Sequence, residues 1–152
     1  TYAGRRENLN GVAELAFVHG NICDTALVEQ LLIEHDLDTI VHFAAESHVD
    51  RSIAGPDAFI ETNVVGTHNL LKAARAAWLE RGSGRSHRFH HVSTDEVFGS
   101  LDATDPPFTA ASPYRPNSPY AASKAAGDHL VRAYARTYGL MATISNCSNN
   151  YG

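Results

Sequence analysis

The chain has 152 residues, of which 43% are hydrophobic and 19% charged, and its formal net charge is -5 at pH 7. These values are typical of a single soluble globular domain. The acidic balance and the lack of a basic stripe argue against a nucleic-acid partner. No apolar run approaches the ~20 residues that a membrane-spanning helix needs. We therefore expect a cytoplasmic protein without a membrane or nucleic-acid partner.

Cysteine and histidine usage indicates neither a disulfide framework nor a metal site. Cys23 and Cys147 are the only cysteines, and two are too few for a disulfide-rich scaffold. We predict buried, reduced thiols, as is usual in the cytosol. His87, His90 and His91 cluster, but no spacing of Cys, His and carboxylates completes a metal site. We predict no bound metal and place these histidines in loops and at strand edges.

The first half of the chain alternates short apolar runs with a helical pattern. Residues 15–18 predict a short buried strand. Asp24 is a good N-cap for a helix that reaches about His35. Residues 39–43 predict a second strand, which is β-branched and apolar on both faces. That pattern fits a parallel sheet covered by helices on both sides.

Residues 57–80 predict one long helix with two adjoining stripes of mostly apolar residues. A helix apolar over so wide an arc either lies wholly in the core or turns one face to a second subunit. Asn63 and Gly66 lower the helix propensity, so we predict a polar contact for Asn63 and close packing at Gly66. The stripes are Ile60, Val64, Thr67, Leu71, Ala74 and Trp78, and Phe59, Asn63, Gly66 and Leu70.

The second half contains two further strands, at residues 89–92 and 141–146, with a helix between them. Residues 101–119 form a long proline-rich segment, and loops of this length are usually functional lids or disordered. Because this one joins residues 94–96 to Tyr120, we expect it to fold over the active site. Pro119 suits the first turn of a helix that runs to about Tyr138, where Gly139 ends it. The alternation of strands and helices predicts an α/β doubly wound fold.

Tyr120 and Lys124 lie four residues apart, and therefore on one face of the predicted helix. An ammonium beside a phenol stabilises the ionised phenol. Lowering a Tyr pKa from ~10 to ~7 would suit proton removal from an alcohol near neutral pH. The pair alone is a weak signal, because such spacings are common on exposed helix faces.

A second stretch, Thr94, Asp95 and Glu96, follows the third predicted strand. The Thr94 hydroxyl could hold a substrate oxygen against Tyr120. Successive residues of a strand point to opposite faces, so the chain must leave strand geometry at Asp95 for both carboxylates to enter one pocket. Two such carboxylates push their pKa values apart, which provides one acid and one base. The residues alone permit either order.

Residues 44–52, 93–99, 118–124 and 146–152 together resemble the extended short-chain dehydrogenases/reductases. Among these they are similar to the dTDP-glucose 4,6-dehydratases, because related sugar-nucleotide epimerases lack the paired carboxylates after Thr94. The resemblance covers the whole chain. It implies a Rossmann-type sheet, an NAD cofactor and conversion of dTDP-glucose to dTDP-4-keto-6-deoxyglucose and water in deoxysugar biosynthesis. It further implies a homodimer formed through the 57–80 and 120–138 helices.

The resemblance also implies a role for each candidate catalytic residue. Tyr120 removes the C4 hydroxyl proton as hydride passes to NAD, and Lys124 lowers the pKa of Tyr120 and holds the nicotinamide ribose. Thr94 binds the C4 oxygen. Glu96 removes the C5 proton and Asp95 protonates the departing C6 hydroxyl, after which hydride returns to C6.

Further contacts are implied for cofactor and substrate. The cofactor-binding residues would be Asn21, Ile22, Phe43, Ala44, Ala45, Thr62, Tyr120, Lys124 and Asn150, and the substrate-binding residues Ser47, Thr94 and Asn149. Asn21 stands where the family often has Asp, so an adenine contact there would be altered. Phe98 replaces a common Tyr, with little expected effect.

No Gly-x-x-Gly-x-x-Gly motif opens the chain, although the resembled family carries one. We therefore expect residues 1–152 to be a partial NAD-binding domain from inside a longer protein, without the N-terminal βαβ phosphate-binding unit and the C-terminal substrate domain. In Rossmann order the absent strands would separate the first two predicted strands, so the piece is expected to be unstable and inactive alone. The alternatives are a UDP-glucose 4,6-dehydratase, an enzyme of the UDP-glucose 4-epimerase type, or a non-catalytic relative.

Overall fold

The computed structural model describes residues 4–82 and 86–149. Its centre is a three-stranded sheet in the order β1-β2-β3, formed by Thr39–His42, Arg88–Thr94 and Ala142–Cys147. Both strand pairs are parallel. Each crossover between parallel strands is helical, as parallel pairing requires. The α/β class and three of the four predicted strands are confirmed.

The helices are α1 Thr25–Glu34, α2 Val49–Ala54, α3 Asp57–Phe59, α4 Thr67–Arg75 and α5 Pro119–Tyr138, with 3-10 helices at Arg6–Leu9 and Asp95–Phe98 and π-helical segments at Ile60–Gly66 and Ala76–Glu80. Residues 57–80 are helical throughout, which confirms the predicted long helix. The sequence did not predict its two π segments. Helix α2 was not predicted either, because its six residues are too few for a periodic pattern.

The ends of α1 and α5 follow from local residues, as predicted. The Asp24 carboxylate accepts a hydrogen bond from the Leu27 amide at the start of α1. The Ser118 hydroxyl does the same for Ala121 at the start of α5, and Pro119 occupies its first turn. Gly139 ends α5 with a left-handed φ of 75°, a conformation that glycine adopts without strain.

The predicted strand at residues 15–18 is wrong. These residues form no regular element, and Leu15, Phe17 and Val18 are 47%, 46% and 45% exposed. A strand needs a hydrogen-bonded neighbour, and the described sheet offers none at this position. The apolar run alone was therefore insufficient to produce a strand.

The core lies between one face of the sheet and helices α1, α4 and α5. Phe89 of β2 and Leu71 of α4 are completely buried in it. On the opposite face Val41 is 50% exposed. The described helices thus form a layer on one face, and the predicted second layer is not formed by the part of the chain that the structure describes.

The two unusual residues of the long helix have the predicted roles. Asn63 is buried, accepts a hydrogen bond from the Glu46 amide, and donates to the Glu46 carbonyl and the Ser123 hydroxyl. A Cβ on Gly66 would lie 2.5 Å from Cδ1 of Ile22, so only glycine allows this approach. Of the two stripes, the one beginning at Phe59 is buried, whereas Ile60 of the other is 49% exposed.

None of the helices in the described ranges 4–82 and 86–149 has the length and apolar character to cross a membrane.

Candidate active site

The candidate site begins at the carboxyl end of β2, where the chain leaves the strand. Thr94 is still extended, with φ -132° and ψ 153°, and Asp95–Phe98 turn into a 3-10 helix. The Thr94 hydroxyl caps that helix by accepting a hydrogen bond from the Glu96 amide at 3.2 Å. The predicted departure from strand geometry at Asp95 is confirmed. It leaves both carboxylates half-buried beside Thr94.

Tyr120 reaches the same place from the first turn of α5. Its side chain is buried and hydrogen-bonds with that of Thr94. The Phe59 ring packs edge-on against it, with ring centroids 6.4 Å apart. The Ser118 cap and Pro119 set the start of α5 and so the position of Tyr120. The strand end and the helix start therefore bring the two predicted catalytic stretches together.

Burial is the largest influence on Tyr120 and raises the pKa of its phenol. The hydrogen bond with Thr94 lowers that pKa, whereas the Glu96 and Asp95 carboxylates raise it. The Lys124 amine donates to the Val92 carbonyl at 2.7 Å, and burial lowers the pKa of Lys124. The lowered Tyr120 pKa expected from the Tyr–Lys spacing is thus not found in this arrangement, because burial outweighs any nearby cation.

Glu96 is the predicted base. Burial is the first cause that raises the pKa of its carboxyl, and the Asp95 charge adds to it. A carboxylate with a raised pKa is a stronger proton acceptor. Glu96 is therefore suited to removing a proton from carbon once that proton has been acidified.

The small residues after β1 lie at the carboxyl edge of the sheet, where ligands of doubly wound folds bind. Phe43 is 73% exposed there, Ala44 and Ser47 are exposed, and Ala45 is half-buried. A flat ring system would fit against such a surface, because the two alanines allow a close approach to the backbone.

The other predicted contact residues are more scattered. Ile22 packs on Gly66 of the long helix, and the Asn21 side chain accepts from the Cys23 amide. Thr62 is half-buried in the first π segment, and Asn149 is exposed after β3. The structure does not bring Asn21 and Ile22 into the Thr94–Tyr120 cluster. Asn150 lies outside the described residues.

A buried carboxylate behind the predicted catalytic residues was missed. Asp128 of α5 is completely buried and accepts hydrogen bonds from the Ser93 and Tyr114 hydroxyls at 2.9 and 2.8 Å. Its one sequence signal is the four-residue spacing from Lys124, which places both on one helix face. His91 was predicted at a strand edge. It is instead buried, with Nε2 3.3 Å from Asp128 Oδ1, because its strand faces α5.

Within residues 4–82 and 86–149, no group of three or more His, Cys, Asp or Glu side chains is placed to hold a metal ion. Cys23 and Cys147 are free and half-buried, so the predicted full burial of the thiols is not found.

Comparisons with known proteins identify the family. The family model described as GDP-mannose 4,6 dehydratase matches residues 1–152. The dTDP-glucose 4,6-dehydratase of Xanthomonas campestris is 58% identical over 157 residues, which cover 100% of this chain and 44% of the relative. The dTDP-glucose 4,6-dehydratase of Streptomyces venezuelae, solved with NAD bound, is 55% identical with a TM-score of 0.90, and the match covers 100% of this chain and 45% of that one.

A more distant structure shares the fold. The UDP-glucose 4-epimerase of Thermotoga maritima is 26% identical with a TM-score of 0.86, over 99% of this chain and 46% of that one. The chain thus spans about half the length of the relatives that it matches. The full-length match to the family model, together with the convergence of Thr94, Asp95, Glu96 and Tyr120 at one strand end, shows that this chain belongs to the GDP-mannose 4,6 dehydratase family.

Proposed function

We propose that the complete protein is an NAD-dependent dTDP-glucose 4,6-dehydratase, a hydro-lyase of deoxysugar biosynthesis. The observation that carries this proposal is the meeting of one hydroxyl, two carboxyls and one phenol at the carboxyl end of β2. Similarity to dTDP-glucose 4,6-dehydratases at 53% to 58% identity supports the substrate. Residues 1–152 would then be the part of the NAD-binding domain that carries the catalytic residues.

The chain's own residues would divide the reaction between them. Tyr120 takes the proton of the C4 hydroxyl while Thr94 holds the C4 oxygen. Loss of that proton, together with loss of hydride from C4 to NAD, would give a ketone that acidifies the C5 proton; Glu96 accepts this proton and would return it to C5 when hydride reaches C6. Asp95 gives a proton to the departing C6 hydroxyl, which leaves as water. Burial and Asp95 both raise the pKa of Glu96, which separates the two carboxyls as an acid/base pair requires; the order, with Glu96 as base and Asp95 as acid, rests on the similarity to the dTDP-glucose 4,6-dehydratases.

NAD is the cofactor that this chemistry needs, since it would accept hydride from C4 and return it to C6. Relatives from Streptomyces venezuelae and Bacillus anthracis were solved with NAD bound. Phe43, Ala44 and Ala45 would lie along the cofactor, and Tyr120 and Lys124 would face its nicotinamide end. Asn21, Ile22, Thr62 and Asn150 complete the proposed cofactor contacts, and Ser47 and Asn149 those of the sugar nucleotide.

We also propose that the complete protein is a cytoplasmic homodimer. The long helix and α5 pack side by side, and their outer faces expose apolar side chains, among them Ile60, Val65 and Tyr138. A second copy of the same helices would cover these side chains in an isologous contact. The free thiols of Cys23 and Cys147 fit a reducing compartment.

The proposal is tested with the gene product at its natural length. It is incubated separately with dTDP-glucose and UDP-glucose, and products are identified by mass and NMR. We expect dTDP-glucose to yield the 4-keto-6-deoxy sugar with loss of water. A C4 epimer would instead indicate an epimerase, turnover of UDP-glucose alone a different nucleotide preference, and purification without NAD or turnover a non-catalytic relative.

A further inference from the structure

A buried polar cluster lies directly behind the catalytic residues, and the proposed reaction makes no use of it. Its centre is the Asp128 carboxylate, which is 0% exposed. Oδ2 accepts hydrogen bonds from Ser93 Oγ at 2.9 Å, Tyr114 Oη at 2.8 Å and Asn146 Nδ2 at 3.4 Å. Oδ1 faces His91 Nε2 at 3.3 Å. A completely buried carboxylate is costly unless it is compensated, so its presence needs a physical reason.

The partners of Asp128 come from separate elements that all end at the reaction centre. Ser93 immediately precedes Thr94 on β2. Asn146 of β3 also donates to the Thr94 carbonyl at 3.1 Å. Tyr114 belongs to the proline-rich loop, and its ring packs edge-on against Phe98 with centroids 5.2 Å apart. Asp128 thus joins β2, β3 and the loop to the helix that carries Tyr120 and Lys124.

A nearby cation would stabilise this carboxylate in addition to its hydrogen-bond donors. His91 is closest, but burial lowers the pKa of its imidazole despite the opposing effect of Asp128. His42 of β1 lies beside His91, with ring centroids 5.0 Å apart, and burial lowers its pKa to about 3. Both imidazoles are therefore neutral near pH 7. The remaining buried base is Lys124, one helical turn from Asp128 on the same face of α5.

Few other groups stabilise the charged form of Lys124. The residue as a whole is 4% exposed, and its amine donates to the Val92 carbonyl. Burial lowers its pKa, and among the groups that oppose this effect Asp128 comes first, followed by Cys147. His42 and His91, which face it from β1 and β2, contribute no negative charge. A neutral lysine could neither favour the Tyr120 phenolate nor attract a ribose hydroxyl through its charge.

We propose that Asp128 is a positioning residue of the reaction centre, whose buried carboxylate keeps the Lys124 amine charged while tying the ends of β2 and β3 to α5. The effect of Asp128 on the charge of Lys124 does not depend on which reaction the protein catalyses. Its effect on turnover of dTDP-glucose rests on the proposed function. The Asp128 carboxylate also raises the pKa of the Tyr120 phenol directly, so its role as a positioning residue is judged first by the titration of Lys124.

The test compares two variants of the complete protein that remove different properties of the cluster. D128N keeps the shape of the side chain and an oxygen that accepts hydrogen bonds, but it loses the charge. Y114F removes one hydrogen bond to Asp128 and leaves its charge in place. Lysine carrying 13C at the ε carbon reports the titration of Lys124 by NMR, and the K124R variant assigns the signal by its absence.

We expect the Lys124 titration in D128N to move to lower pH by about one unit or more, whereas Y114F leaves it near the wild-type position. With dTDP-glucose, the alkaline limb of kcat/KM should fall to lower pH in D128N and stay in place in Y114F. An unchanged Lys124 titration in D128N, or an equal movement in Y114F, would overturn the proposal, because a purely structural cluster predicts one of these results.

If D128N does not fold, the titration of Lys124 in the wild-type protein tests the proposal. An amine compensated by Asp128 should stay charged at neutral pH, whereas an uncompensated buried lysine should have lost its proton there. The NMR measurement needs no turnover. Absence of dTDP-glucose turnover would therefore contradict the proposed function alone, and an unmoved lysine signal would contradict the role of Asp128 alone.

Discussion

The titratable side chains at the centre of this molecule are shifted mainly by burial. It is the first cause acting on Tyr120, Glu96, Lys124 and His42. Hydrogen bonds and neighbouring charges then adjust each group. Individual contacts therefore have testable effects on proton transfer and on pH-dependent stability.

The contact between Thr94 and Tyr120 is the most direct of these. The Thr94 hydroxyl lowers the pKa of Tyr120, so T94V should raise that pKa further and leave less phenolate at neutral pH. We expect kcat/KM near pH 7 to fall about 10- to 100-fold, with the acid limb of its pH profile displaced to higher pH. T94S retains a hydroxyl and serves as the control. A T94V profile with unchanged shape would contradict this role.

Buried His42 predicts a loss of stability in acid. Its folded-state pKa is lowered to about 3, whereas the unfolded chain takes up this proton near ~6.5. Stability is therefore retained above the unfolded pKa and is lost as pH falls towards 3, by up to about 4 kcal/mol. Chemical unfolding at several pH values should show a shallower acid loss in H42Q. The exposed His19 gives a control, H19Q, with the wild-type slope, and parallel slopes in all three proteins would refute the assignment.

At the level of single side chains, the sequence predicted the candidate catalytic groups that meet at the end of β2, and it missed the carboxylate behind them. Thr94, Asp95, Glu96 and Tyr120 stand in short motifs whose chemistry is legible without a structure. Asp128 depends on partners from three separate segments. A lone aspartate on a helix is usually exposed, so nothing local distinguishes it. The pKa of Tyr120 was mispredicted for the same reason, since burial is a tertiary property.

Among the helices and strands, most features set by neighbouring residues were predicted correctly, whereas the strand at residues 15–18, which would need a partner from elsewhere in the chain, was not. The caps of α1 and α5 depend on residues within one turn. Asp24, Pro119 and Gly139 were predicted in their roles, whereas the Ser118 cap was not. Residues 15–18 have an apolar pattern typical of a strand but no strand beside them. The long helix was predicted from its periodicity. Its first π segment coincides with Asn63 and Gly66, where contacts outside the helix dominate.

Gly66 provides a test of that interpretation. In G66A the new Cβ would meet Ile22 at 2.5 Å from Cδ1, and overpacking of this kind costs about 1–3 kcal/mol. G55A is the matched control, because nothing lies within 4 Å of its Cβ position. The free energy of unfolding should fall in G66A, stay near wild type in G55A, and recover in part when I22A is combined with G66A. Equal stability of G66A and wild type would show that the packing is looser than described.

At the scale of the whole molecule, one face of the sheet is covered by α1, α4 and α5, while Val41 on the other face is half exposed. The parallel order β1-β2-β3 was predictable from the alternation of strands and helices. The single helical layer was not, because a strand that is apolar on both faces indicates that both should be covered. The exposed apolar side chains on the long helix and α5 are the surface that the proposed homodimer would bury.

Introducing a charge on the outer face of the long helix tests the proposed dimer. Val65 is 47% exposed, so V65E should leave folding intact but weaken a dimer that buries this position, by about tenfold or more in the dissociation constant. Light scattering after size exclusion gives the mass. Leu101, 44% exposed in the loop, gives the control L101E. A dimer that is equally stable in both variants would place the interface elsewhere.

The proposed acid/base pair of Asp95 and Glu96 is tested by E96Q in the complete protein. Mixed rapidly with dTDP-glucose, E96Q should still oxidise C4, which is seen as NADH absorbance that rises and persists because water is not eliminated and hydride is not returned. Wild type should show a transient signal and release the 4-keto-6-deoxy product. An E96Q protein that forms this product at the wild-type rate would show that Glu96 is not the base and would contradict the account.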